Sequence, residues 1–500
     1  MLRRLVRLFL LSVTLLAVTG VVLYAFFGLR LVFNGGGGPR LGFVRSADEQ
    51  AEIVARHREA QRAAAPPPAV APEPIAQPAP PSGSTVSAEP LASAANTKPA
   101  SADPAFATWT DFRGPARDGR YRGPIQTNWP ADGLQPMWQQ PVGGGYASFT
   151  AARGRAYTIE QRGPQEVVAA YDVMTGRELW AQGWTAMFRE TMGGDGPRAT
   201  PTWHDGRLYA LGATGQLVCL DATDGRVIWR VDILEDAGAE NLAWGMAASP
   251  LIVDDTVIVL PGGPGGKSVA AYHKHDGRRV WSAHDDQAAY SSPMLVTRAG
   301  VRQVIVFTAM RVMGLAPDSG RLLWQYPWPT QMGINASQPI VIGDNRVFVS
   351  TGYGTGAAVI ELSPEPGAAS DGGQAAPRLS VREVWRNIRM KNQFTSSVLH
   401  DGYIYGLDEN ILACVDAATG DLKWKGGRYG YGQVMLASGH LIVLSESGEL
   451  ALVRATPDGH DERVRFPAIS GKTWNHPVIV DGILLIRNLQ EMAAFDLRLR

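Results

Sequence analysis

The chain has 500 residues, and its 47 Lys and Arg balance 47 Asp and Glu, so no net field draws it to nucleic acid. Two cysteines, Cys219 and Cys414, leave room for at most one disulfide. Five hundred residues would suit several domains, unless one repeating architecture takes up most of the chain.

Residues 1–7 carry Arg3, Arg4 and Arg7 and read as a short cytoplasmic end. Residues 8–29 form an uncharged run of 22 residues, about 33 Å long as a helix and enough to cross a bilayer. No A-x-A site follows the run and no cysteine lies near it. It is therefore expected to stay as a single-pass signal anchor in the inner membrane, with the rest of the chain periplasmic. Residues 30–108 are expected to be a disordered tether opened by Gly35, Gly36, Gly37 and Gly38. Within it, 46–65 could form a short charged helix, whereas 66–104, rich in Pro, Ala and Ser, has too little apolar surface to fold. A coil of about 75 residues spans roughly 50 Å, which would hang the folded domain away from the membrane.

The folded domain, 109–500, opens with Trp109-Thr110-Asp111-Phe112-Arg113-Gly114-Pro115, followed by Asp118-Gly119. Two aromatics beside Gly-Pro read as a lead-in segment that caps the rest of the domain. Then one pattern returns: a small residue, Asp two positions on, Gly four later and Trp four after that. It is clean at Ala170-x-Asp172…Gly176…Trp180, at Cys219-x-Asp221…Gly225…Trp229 and at Cys414-x-Asp416…Gly420…Trp424. Looser copies close at Trp281, at Trp324 and at Trp385, where an insertion splits the motif; a degenerate copy closes at Phe466. The last copy, Ala494-Phe495-Asp496, ends before its Trp, and Trp138 supplies the missing half from the other end of the domain. Successive closing aromatics are 42, 49, 52, 43, 61, 39 and 42 residues apart.

Such a period, with several short apolar strands per unit, points to a β-propeller. The unit before Trp229 illustrates it. Its apolar runs are divided by His204-Asp205-Gly206, Thr214-Gly215 and Thr223-Asp224-Gly225, and Asp-Gly and Thr-Gly pairs supply the positive φ of tight turns. Eight closures predict eight blades, the last shared by the two ends of the domain, which leaves the ring without a free seam. Cys219 and Cys414 both fill the small slot, in the second and sixth blades. On opposite sides of a ring they are too far apart for a disulfide, which needs Cα atoms within about 7 Å.

The motif and the lead-in together resemble the PQQ-like β-propeller repeat proteins, over residues 109–500. The resemblance implies that Trp138, Trp180, Trp229, Trp281, Trp324, Trp385 and Trp424 dock against the small residue and Gly peptide of a neighbouring blade. It implies two functional branches: quinoprotein dehydrogenases, which hold pyrroloquinoline quinone and calcium, and BamB-like outer-membrane assembly scaffolds, which are not enzymes. The chain departs from both, lacking the vicinal Cys-Cys of many alcohol-oxidising members and the lipid-bearing Cys of the scaffolds; Gly193-Gly194-Asp195-Gly196 stands where the Cys pair is expected.

Ligand sites of propellers lie where the inner strands begin, at the mouth of the channel. The segments before those strands hold Glu190, Asp195, Arg198, Asn241, Trp244, Tyr290, Gln393, Tyr431, Asn475 and His476, the candidate ligand-binding set. Calcium needs several converging oxygens, and Glu190, Asp195 and Glu240 are the only carboxylates placed for it. No metal ligands or catalytic residues are assigned. The stretch from Trp385 to Asn392, with Arg198 and Lys472, could form a positive rim, though a solvated strand face explains it more simply. Gly262 to Ser268 imitates a phosphate loop, but it precedes a strand where that loop needs a helix, and so reads as a hairpin loop. His273 and His275 lack a third ligand. The insertion 363–377 reads as a mobile outward loop.

The expected function is a membrane-anchored extracytoplasmic scaffold that offers its loops and channel mouth to an envelope protein or polymer, with no cofactor. The first alternative is a quinone- and calcium-dependent alcohol or sugar dehydrogenase using Glu190, Asp195, Asn241 and Trp244. The second is a carbohydrate receptor using Trp244, Tyr290 and Tyr431.

Overall fold

The structure, a computed structural model, describes residues 2–26, 28–43, 45–64, 108–365 and 378–499. Eight antiparallel sheets ring a central channel, as eight closing aromatics require. In chain order the blades are 150–185, 202–232, 251–283, 294–327, 340–387, 398–428 and 433–467. Blade 8 joins 478–496 to the strand Trp138–Pro141, which pairs Ala494 with Trp138. Inner strands are short, Thr150–Ala152 and Val398–His400 for example, because the ring narrows toward its axis.

Both faces of each blade are covered by a neighbour, so the middle strands are continuous apolar runs and do not alternate with polar residues. Gln216–Asp221 is buried from Leu217 to Leu220, and Ile411–Asp416 from Leu412 to Val415. The cores accordingly lie between blades: Ile159, Val168, Leu208 and Val218 join blades 1 and 2. Trp109, Ile125 and Trp129 extend the core that closes the ring from blade 7 through blade 8 to blade 1.

The Trp motif works as a clamp. Its Asp side chain turns the chain: Asp172 Oδ1 accepts from the backbone N–H of Thr175 at 2.8 Å, and Asp221 Oδ1 from Thr223 at 2.8 Å. The Trp of the preceding blade then lies on that turn and donates its indole N–H to a carbonyl there. The pairs are Trp138 to Val173 (2.9 Å), Trp180 to Ala222 (3.2 Å), Trp229 to Lys274 (3.0 Å), Trp281 to Pro317 (3.2 Å), Trp385 to Ala417 (3.0 Å) and Trp424 to Thr456 (2.8 Å). The motif Gly is needed for contact as well as for φ: a Cβ on Gly176 would sit 2.7 Å from the Trp138 ring.

Trp324 is the exception, contrary to the expected docking. It folds back over Gly314 of its own blade, where no Cβ obstructs it, and donates to Gln303 Oε1. The next blade carries the insertion in place of the docking turn. Tyr326, which donates to Glu383, and Trp328 beneath the Arg386 guanidinium at 4.5 Å join those blades instead. Ser363 and Pro364 of the expected insertion are in strand Gly356–Pro364, and residues 366–377 lie outside the described residues.

Cys219 and Cys414 are free and buried, and burial pushes their thiols up to about 11 and about 12. Gly262 to Ser268 forms a hairpin loop, in line with the expectation, bridged from Gly263 to Lys267.

The N-terminal region differs most from expectation. Helix α1 spans Leu2–Phe26, so the arginines at 3, 4 and 7 are part of it, and it ends before Leu29. Leu10, Leu15, Leu16 and Val21 on it are exposed. Among the described residues no helix is long and apolar enough to cross a membrane. The expected start of the tether is folded. Strands β1 (Leu29–Phe33) and β2 (Pro39–Phe43) form a hairpin, and helix α2 (Ala47–Ala64) follows, close to the short helix expected at 46–65. Both rest on the ring. Arg58 of α2 is buried, 3.3 Å from Glu178 and 2.8 Å from the Pro141 carbonyl, and Gln50 donates to the Val142 and Gln490 carbonyls. Of the Pro-rich part of the tether, residues 65–107 lie outside the described residues.

Candidate functional site

A cavity of about 610 Å³ occupies the channel mouth. Its floor is the lead-in, which crosses the channel and ties the inner strands together. Trp109 bridges to Ala151 of blade 1. Arg113 donates to the carbonyls of Ser396 (3.0 Å) and Ser397 (2.7 Å). Arg117 donates to those of Ser249 (3.2 Å), Pro250 and Pro293 (2.8 Å) and pairs with Asp111 at 3.0 Å. Tyr121 runs beside Ala437 of blade 7. Both arginines are buried, and burial lowers their pKa, that of Arg113 to about 10, against the opposing pull of Asp118 and Asp111. Phe112, the residue of this segment that faces the cavity, meets His476 with ring centroids 6.0 Å apart.

Aromatic rings line the wall. Tyr146 stacks on Trp474 at 4.9 Å, Trp474 lies 4.4 Å from Phe394, Phe394 5.7 Å from Tyr431, and Trp244 5.9 Å edge-on to Tyr290. The Arg198 guanidinium stands over Phe188 at 4.8 Å, and burial lowers its pKa. Lys472 lies over Trp474 at 4.4 Å, and burial pulls its ammonium down to about 8, partly offset by Glu446 and Glu190. Burial also pushes Tyr290 up to about 12.

The lid is the N-terminal hairpin. Asn34, Gly35, Gly36 and Gly37 line the cavity from above. Gly35 N–H donates to Glu446 Oε1 at 2.7 Å, the Gln393 amide donates to the Gly35 carbonyl, and the Tyr431 ring leaves no room for a Cβ at Gly35. Glu446 also accepts from Trp474 Nε1 at 3.0 Å, so one carboxylate holds both wall and lid.

Of the ten candidate residues, Arg198, Trp244, Tyr290, Gln393, Tyr431 and His476 line this cavity, and Glu190, Asp195, Asn241 and Asn475 do not. Glu190 accepts from the backbone N–H of Met192 (2.8 Å) and Gly193, while Asp195 accepts from that of Glu190 (3.1 Å). Both carboxylates thus cap their own loop. Asn241 and Asn475 donate to the carbonyls of Ala213 (3.0 Å) and Ala147 (2.8 Å). The expected quinone site on Glu190, Asp195, Asn241 and Trp244 is therefore not assembled: only Trp244 faces the cavity, and three oxygen-bearing side chains already serve backbone groups. Among the described residues no three His, Cys, Asp or Glu side chains gather as a metal requires. His476 is held neutral, chiefly by burial and then by Arg113, and among the described residues its Nε2 has no hydrogen-bond partner. Of the expected positive rim, one cation is paired with a carboxylate and two others are engaged by neutral groups. Lys391 pairs with Asp408 at 2.8 Å, Arg386 covers Trp328, and Arg198 donates to the carbonyls of Gly194 and Gly196.

Sequence reasoning placed Phe394 and Trp474 ahead of inner strands but missed Tyr146 and Glu446, and the lid altogether. Asn34-Gly35 between two runs of alternating character was the available signal for the hairpin.

The family model described as outer membrane protein assembly factor BamB matches residues 164–426, more than half of the chain. Two curated relatives carry that same description. One, from Marinobacter adhaerens, is 26% identical over 19% of this chain and 20% of its own length. The other, from Shewanella oneidensis, is 24% identical over 57% of this chain and 79% of its own length. Similarity to the first relative therefore spans only a fifth of that protein. Among solved structures, BamB from Moraxella catarrhalis superposes with a TM-score of 0.51 at 14% identity, over 72% of this chain and 99% of the other. Quinohemoprotein alcohol dehydrogenase from Comamonas testosteroni gives 0.56 at 13% identity, over 79% and 81%. At these identities the likeness to the two structures shows the fold.

Proposed function

The chain belongs to the family of outer membrane protein assembly factor BamB, and on that premise we propose that it is an envelope scaffold that binds a protein or polymer partner and carries out no chemistry. The helix at its N-terminus anchors it as a single-pass protein of the inner membrane, with the propeller on the periplasmic side. The uncharged sequence run 8–29, preceded by Arg3, Arg4 and Arg7, is what supports that placement. The relatives' name concerns the outer membrane; this chain would serve envelope assembly from the opposite membrane.

One observation carries the scaffold reading: most of the polar side chains expected to bind a ligand at the channel mouth are committed to internal bonds. Glu190 and Asp195 cap a loop, Asn241 and Asn475 hold carbonyls, and Glu446 and Gln393 grip the chain's own hairpin. Glu409 and His476 are the acid and the base that line the aromatic cavity, and His476 is buried and held neutral by that burial and by Arg113. Cross-linking the intact chain in its membrane tests this. A discrete adduct with an envelope protein or polymer is expected; cross-linked material consisting only of the chain itself, together with oxidation of an alcohol in the presence of added quinone and calcium, would overturn it. The cavity favours one second reading, a saccharide ligand, because Trp244, Tyr290 and Tyr431 face the same space.

A further inference from the structure

Helix α1 ends at Phe26 and strand β1 begins at Leu29, so two residues separate the anchor from the lid. Two residues reach at most about 7 Å, and the five of β1 add roughly 17 Å. The tip of that hairpin is seated in the channel mouth, through Gly35 on Glu446 and Gln393 and through Phe33, whose carbonyl is 3.5 Å from Lys472 Nζ. Residues 65–107 begin only after α2, itself fixed to blades 8 and 1, and end at the lead-in inside the channel. Both ends of that long segment therefore belong to the ring, and its length places nothing between ring and anchor.

We infer that the channel mouth faces the bilayer, and that the exposed apolar rim around it rests on the lipid surface. This deepens the scaffold reading and depends on its anchor. A second observation supports it: large apolar side chains stand exposed on the mouth side. Met332 and Ile388 are each 73% exposed, Met310 is 54% exposed, and Leu31 and Leu41 on the hairpin are 60% and 72% exposed. Arg389 is exposed beside Ile388. The acidic rim residues Glu240 and Asp285, also exposed, lie on the connections leading out of blades 2 and 3, away from Met332 and Ile388. The ring therefore tilts with the 310–388 arc toward lipid, where apolar tips enter the interface and Arg389 meets anionic headgroups. The opposite face, made of the Asp-capped turns under each docked Trp, is left to the partner.

The test uses the full chain in vesicles of phosphatidylethanolamine and phosphatidylglycerol carrying a lipid-phase quencher. Both native cysteines are buried, so a fluorophore can be placed on single introduced cysteines. Met332→Cys and Ile388→Cys report the mouth, Thr223→Cys and Ala418→Cys the turn face, and Glu240→Cys the raised side of the rim. Quenching of several-fold at 332 and 388, weaker at 240 and absent at 223 and 418 is expected. Equal quenching at all five, or none at 332 and 388 while the chain floats with the vesicles, would overturn the orientation and leave the mouth to a protein partner. If the chain does not float, the anchor fails and the orientation with it.

Discussion

The two ends of the cavity are closed by different physics. The floor is a segment inside the channel whose two arginines replace water for at least five carbonyls of blades 3, 4 and 6; Trp109, Arg113 and Arg117 are among the most buried large side chains. The lid has its backbone at Gly35 held by one carboxylate and one amide, and leaves Leu31 and Leu41 in the open. A buried network resists opening because each carbonyl it releases goes unsatisfied, whereas a surface hairpin exchanges its bonds for bonds to water. The floor is therefore held as part of the core, and the lid as an element on its surface.

Arg117→Ala should break that contrast at its strongest point. It leaves Asp111 and three carbonyls without their partner, so a loss of about 3 kcal/mol or more is expected, read as a lower melting temperature of the full chain. Next in size is a pH effect in blade 1, outside the cavity. Glu166 is buried, and burial raises its carboxyl to about 7, against hydrogen bonds from Ala213 N–H (2.8 Å) and Trp184 Nε1 (3.2 Å). The unfolded chain loses this proton near pH 4.5 and the folded chain near 7, so its contribution to stability falls as pH rises through that window. Glu166→Gln should remove the fall, worth on the order of 2 kcal/mol, when melting is compared at pH 5 and pH 8. The smallest effect on stability should come from Gly35→Val, which cannot fit beneath Tyr431. A change below about 0.5 kcal/mol is expected. Amide exchange across 29–43 should nevertheless become fast while that across 109–121 stays slow. A large drop in melting temperature would show that the lid is part of the core.

The ring was legible because its signal is chemical and repeated: a Trp needs a flat turn to lie on, and the turn needs Asp and Gly at fixed offsets. Where the sequence loses the Trp, at Phe466, the structure departs too, with Phe466 set against Trp129 at 6.1 Å, whereas Trp324, expected to dock, turns onto Gly314 of its own blade. The aromatic part of the site was also legible, since a Trp or Tyr ahead of an inner strand has only the channel to fill. The acidic part was not, because Glu190 and Asp195 cap backbone N–H groups of their own loop, those of Met192, Gly193 and Glu190, and composition does not distinguish a loop cap from a metal ligand. The hairpin was hidden by its neighbours. Gly35 to Gly38 beside an apolar helix and ahead of a Pro-rich stretch reads as linker, although five cross-strand pairs, from Leu29↔Phe43 to Phe33↔Pro39, hold it.

The most direct test of the central claim, that this chain is a scaffold and does not oxidise, is calorimetric titration of pyrroloquinoline quinone with calcium into the full chain in detergent. The account predicts no saturable heat and no shift in melting temperature, because three of the four side chains expected around a quinone are bonded elsewhere. Saturable binding at micromolar concentration or tighter would contradict it.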